Sequence, residues 1–150
     1  MYKIIFNILI IISIASAVNA QNKKTLIRDG NNLYNDSSYN EAEIKYRKAL
    51  EKDQEYLPTL FNMANSIYKQ NRFEEAGAIL NTLKYKTSSK DEKAKIYHNL
   101  GNNFLKQKKI PEAINAYKES LRNNPKDEDT CYNLAYAQHL LDNQQQEQQE

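Results

Sequence analysis

Asparagine recurs in this chain at a spacing that could grip a peptide. Asn62 and Asn65, then Asn99 and Asn102, stand three residues apart, with Arg28 and Asn31 upstream and Asn133 and Tyr136 downstream. On a helix such a pair points to one side. Each carboxamide offers two N–H donors and an acceptor oxygen, so it can meet a peptide N–H and C=O together. Asparagine is also a poor helix former, so its repeated use inside helices needs a reason other than propensity. Two roles are open. Asn62, Asn99 and Asn133 could bond a neighbouring segment and fix how the helices stack. Asn65 and Asn102 are the sharper candidates for gripping a ligand.

Little else could do covalent chemistry. His98 and His139 are far apart, and Gly30, Gly77 and Gly101 stand isolated. No HExxH helix, CxxC pair or glycine-rich phosphate loop is present. Cys131 is the sole cysteine, which excludes an intrachain disulfide and a zinc quartet; as a small apolar side chain it is expected to be buried. Acidic residues in stretches such as EAEIKYRKALEKD have the spacing of a solvated helix face. The expectation is a non-enzyme with no catalytic residues, metal or cofactor.

The first residues, MYKIIFNILIIISIASAVNA, carry one Lys, an apolar run and the small ending Val18-Asn19-Ala20. That layout is expected of a secretory signal peptide over residues 1–20, with Gln21 as the mature start. The run is short for a membrane span and Asn7 interrupts it. No transmembrane span is expected after cleavage, and the protein is expected to be exported, periplasmic or associated with the cell envelope. Without Lys3, 20 basic side chains face 19 acidic ones. That balance argues against nucleic acid as a partner.

The elements that position the amides follow from a repeat. The phrases RDGNNLYND, NMANSIYKQ, NLGNNFLKQ and YNLAYAQ align on Gly30, Ala64, Gly101 and Ala135, at intervals of 34, 37 and 34 residues. Ala42, Ala76 and Ala113 keep the same step, each followed four residues later by Tyr46, Leu80 or Tyr117. A period of 34 with small and aromatic residues at set offsets is the signature of tetratricopeptide repeats (TPRs), and from about Asn22 to Leu141 the chain resembles that superfamily.

Small residues are expected where paired helices meet, and Leu33, Ile67 and Phe104 are expected in the core. Tyr39, Phe73 and Ile110 are expected to open the second helices. Pro58 and Pro111 suit first turns, Ser89 with Glu92 suits a capping box, and Pro125 follows a helix end. The predicted architecture is an all-α solenoid of three helix pairs, over residues 23–56, 57–90 and 94–127, with a capping helix at 127–141. Residues 142–150, DNQQQEQQE, have no apolar side chain and are expected to be a disordered tail or a frayed extension of the helix.

The resemblance implies more than the spacing does. In TPR proteins the first helix of each pair lines a concave groove, which would bring Lys24, Arg28, Asn31, Asn62, Asn65, Lys95, His98, Asn99 and Asn102 to a peptide-binding surface. Basic and aromatic residues there suit an acidic or C-terminal carboxylate ligand. Asn31, Asn62 and Lys95 match carboxylate-clamp positions of chaperone-adaptor TPRs, whereas Ile27 and Asn99 replace the expected Lys and Arg. RDGNNLY, NLGN and NNPKDEDTCYNLAYAQ, before a Gln-rich tail, also resemble the BatC-type TPR component of Bacteroides-aerotolerance (Bat) operons. That implies an envelope complex with von Willebrand A-type Bat proteins. The function expected is an interaction scaffold for a protein or peptide; the alternative is a periplasmic holdase-type chaperone or assembly factor.

Overall fold

The computed structural model describes residues 22–147, so the expected signal peptide lies outside the described residues. Among the described residues there are seven α-helices and no strand. They are α1 (22–35), α2 (Tyr39–Leu50), α3 (Leu57–Lys69), α4 (Phe73–Lys86), α5 (Lys90–Lys106), α6 (Ile110–Asn123) and α7 (Glu128–Glu147). The backbone divides into two compact units, with the boundary between Ser66 and Ile67, inside α3.

In the first unit α2 folds back on α1. Gly30 makes this possible: a Cβ there would lie 2.6 Å from Cε1 of Tyr46, closer than atoms can approach. Ala42, Tyr46, Ala49 and Leu50 bury the inner face of α2. Met63 and Ala64 are buried on α3. The α1–α2 turn is closed by a left-handed residue, Ser37, at φ 61°. Ser38 N–H donates to Leu33 O (2.8 Å) and Ser37 N–H to Tyr34 O (3.0 Å), so two otherwise unpaired helix-end carbonyls are satisfied. Tyr34 and Tyr39 then meet edge to face, with centroids 5.3 Å apart.

The second unit repeats this design. Asn71 and Lys108 are left-handed at φ 62° and 59°. Arg72 N–H donates to Ile67 O (3.2 Å) and Lys109 N–H to Phe104 O (2.9 Å). Tyr68 and Phe73 form the matching ring pair at 5.4 Å. Gly101 faces the ring of Tyr117, and a Cβ there would overlap it. Tyr39, Phe73 and Ile110 do open the second helices, with Pro58 and Pro111 in first turns. Ser89 Oγ caps α5 by accepting from Glu92 N–H (3.4 Å). The box is relayed: Ser89 N–H donates to Thr87 Oγ1 (3.1 Å), and the Thr87 hydroxyl donates to the Glu92 carboxylate.

Ile110, Ala113, Ile114, Tyr117 and Ala137 form a core, with Phe104, Leu105, Leu134, Leu140 and Leu141 packed against it. At α7 the helix runs on through residues 142–147, the second of the two states expected for the tail; this stretch has no Gly or Pro, and Gln and Glu are good helix formers. Two other expectations change. Ala135, at the small-residue position of the repeat, is exposed rather than buried. Cys131 is exposed as well. Both follow from one cause: among the described residues no helix comes after α7 to cover that side.

Two substitutions separate these effects. Gly101→Ala is expected to destabilise the protein by about 1–3 kcal/mol through overpacking against Tyr117. Lys108→Gly is expected to stabilise it by about 1 kcal/mol, because a left-handed backbone is costly for any residue with a Cβ. Denaturant unfolding of both variants checks the opposed signs.

Candidate functional site

The amides of the first unit converge. Asn31 Oδ1 accepts from the Tyr46 hydroxyl (2.8 Å) and from Asn62 Nδ2 (3.1 Å). An open cleft of about 290 Å³ surrounds them, lined by Asn31, Tyr34, Asn35, Tyr46, Asn62 and Asn65. Asn31 is exposed, and Asn62 and Asn65 are half-buried. Burial pushes the Tyr46 phenol up to about 12, with Tyr34 adding to it, so the hydroxyl keeps its proton and acts as a donor at neutral pH. Lys24 and Arg28 are exposed on α1.

The second unit builds the same triad. Asn102 Oδ1 accepts from the Tyr117 hydroxyl (2.7 Å) and from Asn133 Nδ2 (3.1 Å). Burial likewise raises the Tyr117 phenol, and Tyr68 adds to it. Lys95 is exposed and Asn99 half-buried on α5. Each triad thus takes its tyrosine from a second helix and its two asparagines from successive first helices. The division of labour expected from sequence is therefore not clean. Asn62 and Asn133 donate across to the preceding first helix, as the stacking role requires, but Asn31 and Asn102 supply the oxygen they bond.

His98 is committed elsewhere. Its Nδ1 lies 2.6 Å from Thr130 Oγ1, and the Thr130 hydroxyl donates to Asp127 Oδ2 (2.7 Å), so His98 Nδ1–H is the donor. Thr130 is buried, and Asp127 Oδ1 also accepts Thr130 N–H (3.0 Å), capping α7. The side chain of His98 thereby ties α5 to the start of α7. The Thr130 and Asp127 members were not read from sequence; the spacing Asp-x-x-Thr just before a helical run is the signal for them.

Lys23, which sequence did not single out, pairs with Asp53 (2.9 Å) and lies 4.4 Å over the Tyr56 ring. Its hydrogen bond holds the Asp53 carboxyl below its ordinary value. His139 and Cys131 are exposed on α7. Among the described residues no three His, Cys, Asp or Glu side chains gather as they would around a metal, and no helix is long and apolar enough to cross a membrane.

The family model for the tetratricopeptide repeat matches residues 94–127. Peptidyl-prolyl cis-trans isomerase CYP7 of Saccharomyces cerevisiae is 25% identical over 132 residues, covering 75% of this chain and 34% of that protein. Protein STIP1 homolog of Dictyostelium discoideum is 28% identical over 118 residues, covering 74% of this chain and 20% of that protein. The chain thus spans about a third or less of the length of the curated relatives it matches. Among solved structures, the first TPR of Spaghetti (RPAP3), bound to the HSP90 peptide SRMEEVD, superposes with a TM-score of 0.74 at 22% identity, covering 81% of this chain and 94% of that one. That likeness shows the fold: an all-α tetratricopeptide-repeat architecture.

The cap of α7 carries a pH signature. Partial burial pushes the Asp127 carboxyl up, but the hydrogen bonds from Thr130 and the nearby His98 outweigh it and hold the group below its ordinary value. A carboxyl depressed in the folded state stabilises above its unfolded value, and that contribution is lost as pH falls through the folded value. Asp127→Ala is expected to cost about 1 kcal/mol at neutral pH. Melting curves of both proteins from pH 7 to 3 should show the gap closing only below about pH 4. A constant gap would show that the charge is not what holds the cap.

Proposed function

We propose that this chain of tetratricopeptide-repeat fold is an interaction scaffold that binds an extended protein segment along the first helices of its repeats. The observation that carries this reading is the cleft of about 290 Å³ in the first unit, where Asn31, Asn62 and Asn65 present amides beside Tyr34 and Tyr46. The second unit offers the same triad at Asn102. Polar, neutral side chains on rigid helices read a peptide backbone and tolerate its sequence. The exposed cations Lys24, Arg28 and Lys95 add a preference for an acidic segment or a free C-terminal carboxylate. A similar solved domain binds an HSP90 peptide ending in EEVD, which supports the peptide class without naming this chain's partner.

The finer assignment is an exported, periplasmic or envelope-associated scaffold within a Bat-type complex, with von Willebrand A-type partners. It rests on the apolar leader at residues 1–20 and on the phrases RDGNNLY, NLGN and NNPKDEDTCYNLAYAQ. A second reading, a holdase for envelope proteins, is favoured by Tyr132 and Tyr136, which are 73% and 51% exposed one turn apart on α7.

Affinity capture from an envelope extract, read by mass spectrometry, tests the proposal. The wild type is expected to retain a small set of proteins that Lys95→Glu retains less well, and raising the salt should weaken the wild type more than the variant. Equal retention by both would remove Lys95 from the site. Broad suppression of aggregation, with no selective capture, would replace the scaffold by the holdase.

A further inference from the structure

Each Gly-Asn pair in the repeat answers to one tyrosine. Gly30 makes room for the Tyr46 ring, and Asn31, the next residue, takes the hydroxyl of that ring. Gly101 and Asn102 share Tyr117 in the same way. The second repeat has Ala64, Asn65 and Leu80 at the corresponding positions, so no hydroxyl is available there.

This arrangement sets the polarity of the amides. A carboxamide oxygen has two lone pairs. Asn31 Oδ1 fills both, with Tyr46 Oη and Asn62 Nδ2. Asn102 Oδ1 fills both with Tyr117 Oη and Asn133 Nδ2. Neither pair of bonds uses the Nδ2 group of the accepting asparagine. What remains for a ligand at these two positions is an N–H donor. The buried phenols cannot easily exchange roles, since each ring is wedged against a glycine and is at most 1% exposed.

We propose that Asn31 and Asn102 are donor-only contacts for acceptor oxygens of a bound segment, its backbone carbonyls or carboxylates, and that Tyr46 and Tyr117 are positioning residues that impose this polarity. The proposal rests on the scaffold reading and narrows it. A ligand needs no N–H of its own at these two points, so stretches rich in proline or otherwise lacking amide protons are accepted. An amide fixed with its oxygen toward the ligand would instead require an N–H from it.

The test uses the full chain, labelled with ¹⁵N, and two probes: a pool of acetyl-capped, amidated heptapeptides of randomised sequence, and the same pool with every second residue N-methylated. Both pools are expected to shift the side-chain Nδ2 signals of Asn31 and Asn102, with comparable midpoints. Tyr46→Phe and Tyr117→Phe keep the ring against its glycine, so melting is expected to change little. Each should nevertheless weaken both pools roughly threefold to tenfold, the worth of one hydrogen-bond arrangement. Binding of the unmethylated pool alone would overturn the donor-only proposal and leave the scaffold reading standing. Unchanged affinity in both Phe variants would remove the tyrosines from the positioning role. If neither pool moves any signal, the inference falls with sequence-tolerant backbone reading, while selective capture from the envelope extract would still support a scaffold for a specific partner.

Discussion

The absence of two side chains governs this structure. Because Gly30 and Gly101 have no Cβ, a tyrosine ring from the paired helix can lie flush against the backbone. That approach brings α2 onto α1 and α6 onto α5, and places each ring in the most buried layer of its unit. It also carries a hydroxyl to the asparagine beside each glycine. Packing and polarity are therefore coupled. A larger residue at the glycine would push out the ring, and with it the group that orients the amide. Interiors this dense also tolerate gaps poorly, because even a small radial separation forfeits much of the dispersion attraction between facing atoms.

Helix-end chemistry is the second constraint. Three turns reverse the chain in the same way, and each requires one residue with positive φ. Ser37, Asn71 and Lys108 occupy these places, and only asparagine among them adopts that conformation readily. The strain is compensated by backbone hydrogen bonds across each turn and, in the first two, by the aromatic pairs Tyr34–Tyr39 and Tyr68–Phe73 that follow. The fold thus tolerates a local penalty because the small-residue packing next to it is so closely specified.

Much of this was legible in the residues. The interval between Gly30, Ala64 and Gly101 locates the helix pairs, and the starts at Tyr39, Phe73 and Ile110 follow from it. The capping role of Ser89 was readable because it depends on neighbours in sequence. The left-handed turns at Ser37 and Lys108 were not, because neither residue type announces positive φ. The His98–Thr130–Asp127 link was missed because His98 joins its partners only after α7 folds against α5. Cys131 and Ala135 misled for a related reason. A repeat pattern assigns burial by position, yet burial depends on whether a neighbour exists, and at the last described helix none does. The candidate site was legible as a set of positions on helices, while its hydrogen-bond direction needed three-dimensional partners fifteen and thirty-one residues away in sequence.

The outward side of α7 bears on how such an array can grow. Gln138 occupies the place held by Leu33, Ile67 and Phe104 in the earlier repeats, and Asp142 lies one turn beyond it. A helix pair packed on that side would find Ala135 exposed at the small-residue position, but beside it a glutamine amide and a carboxylate in place of apolar side chains. Any element seated there would have to supply partners for those two polar side chains, because a buried amide or carboxylate without a hydrogen bond is costly.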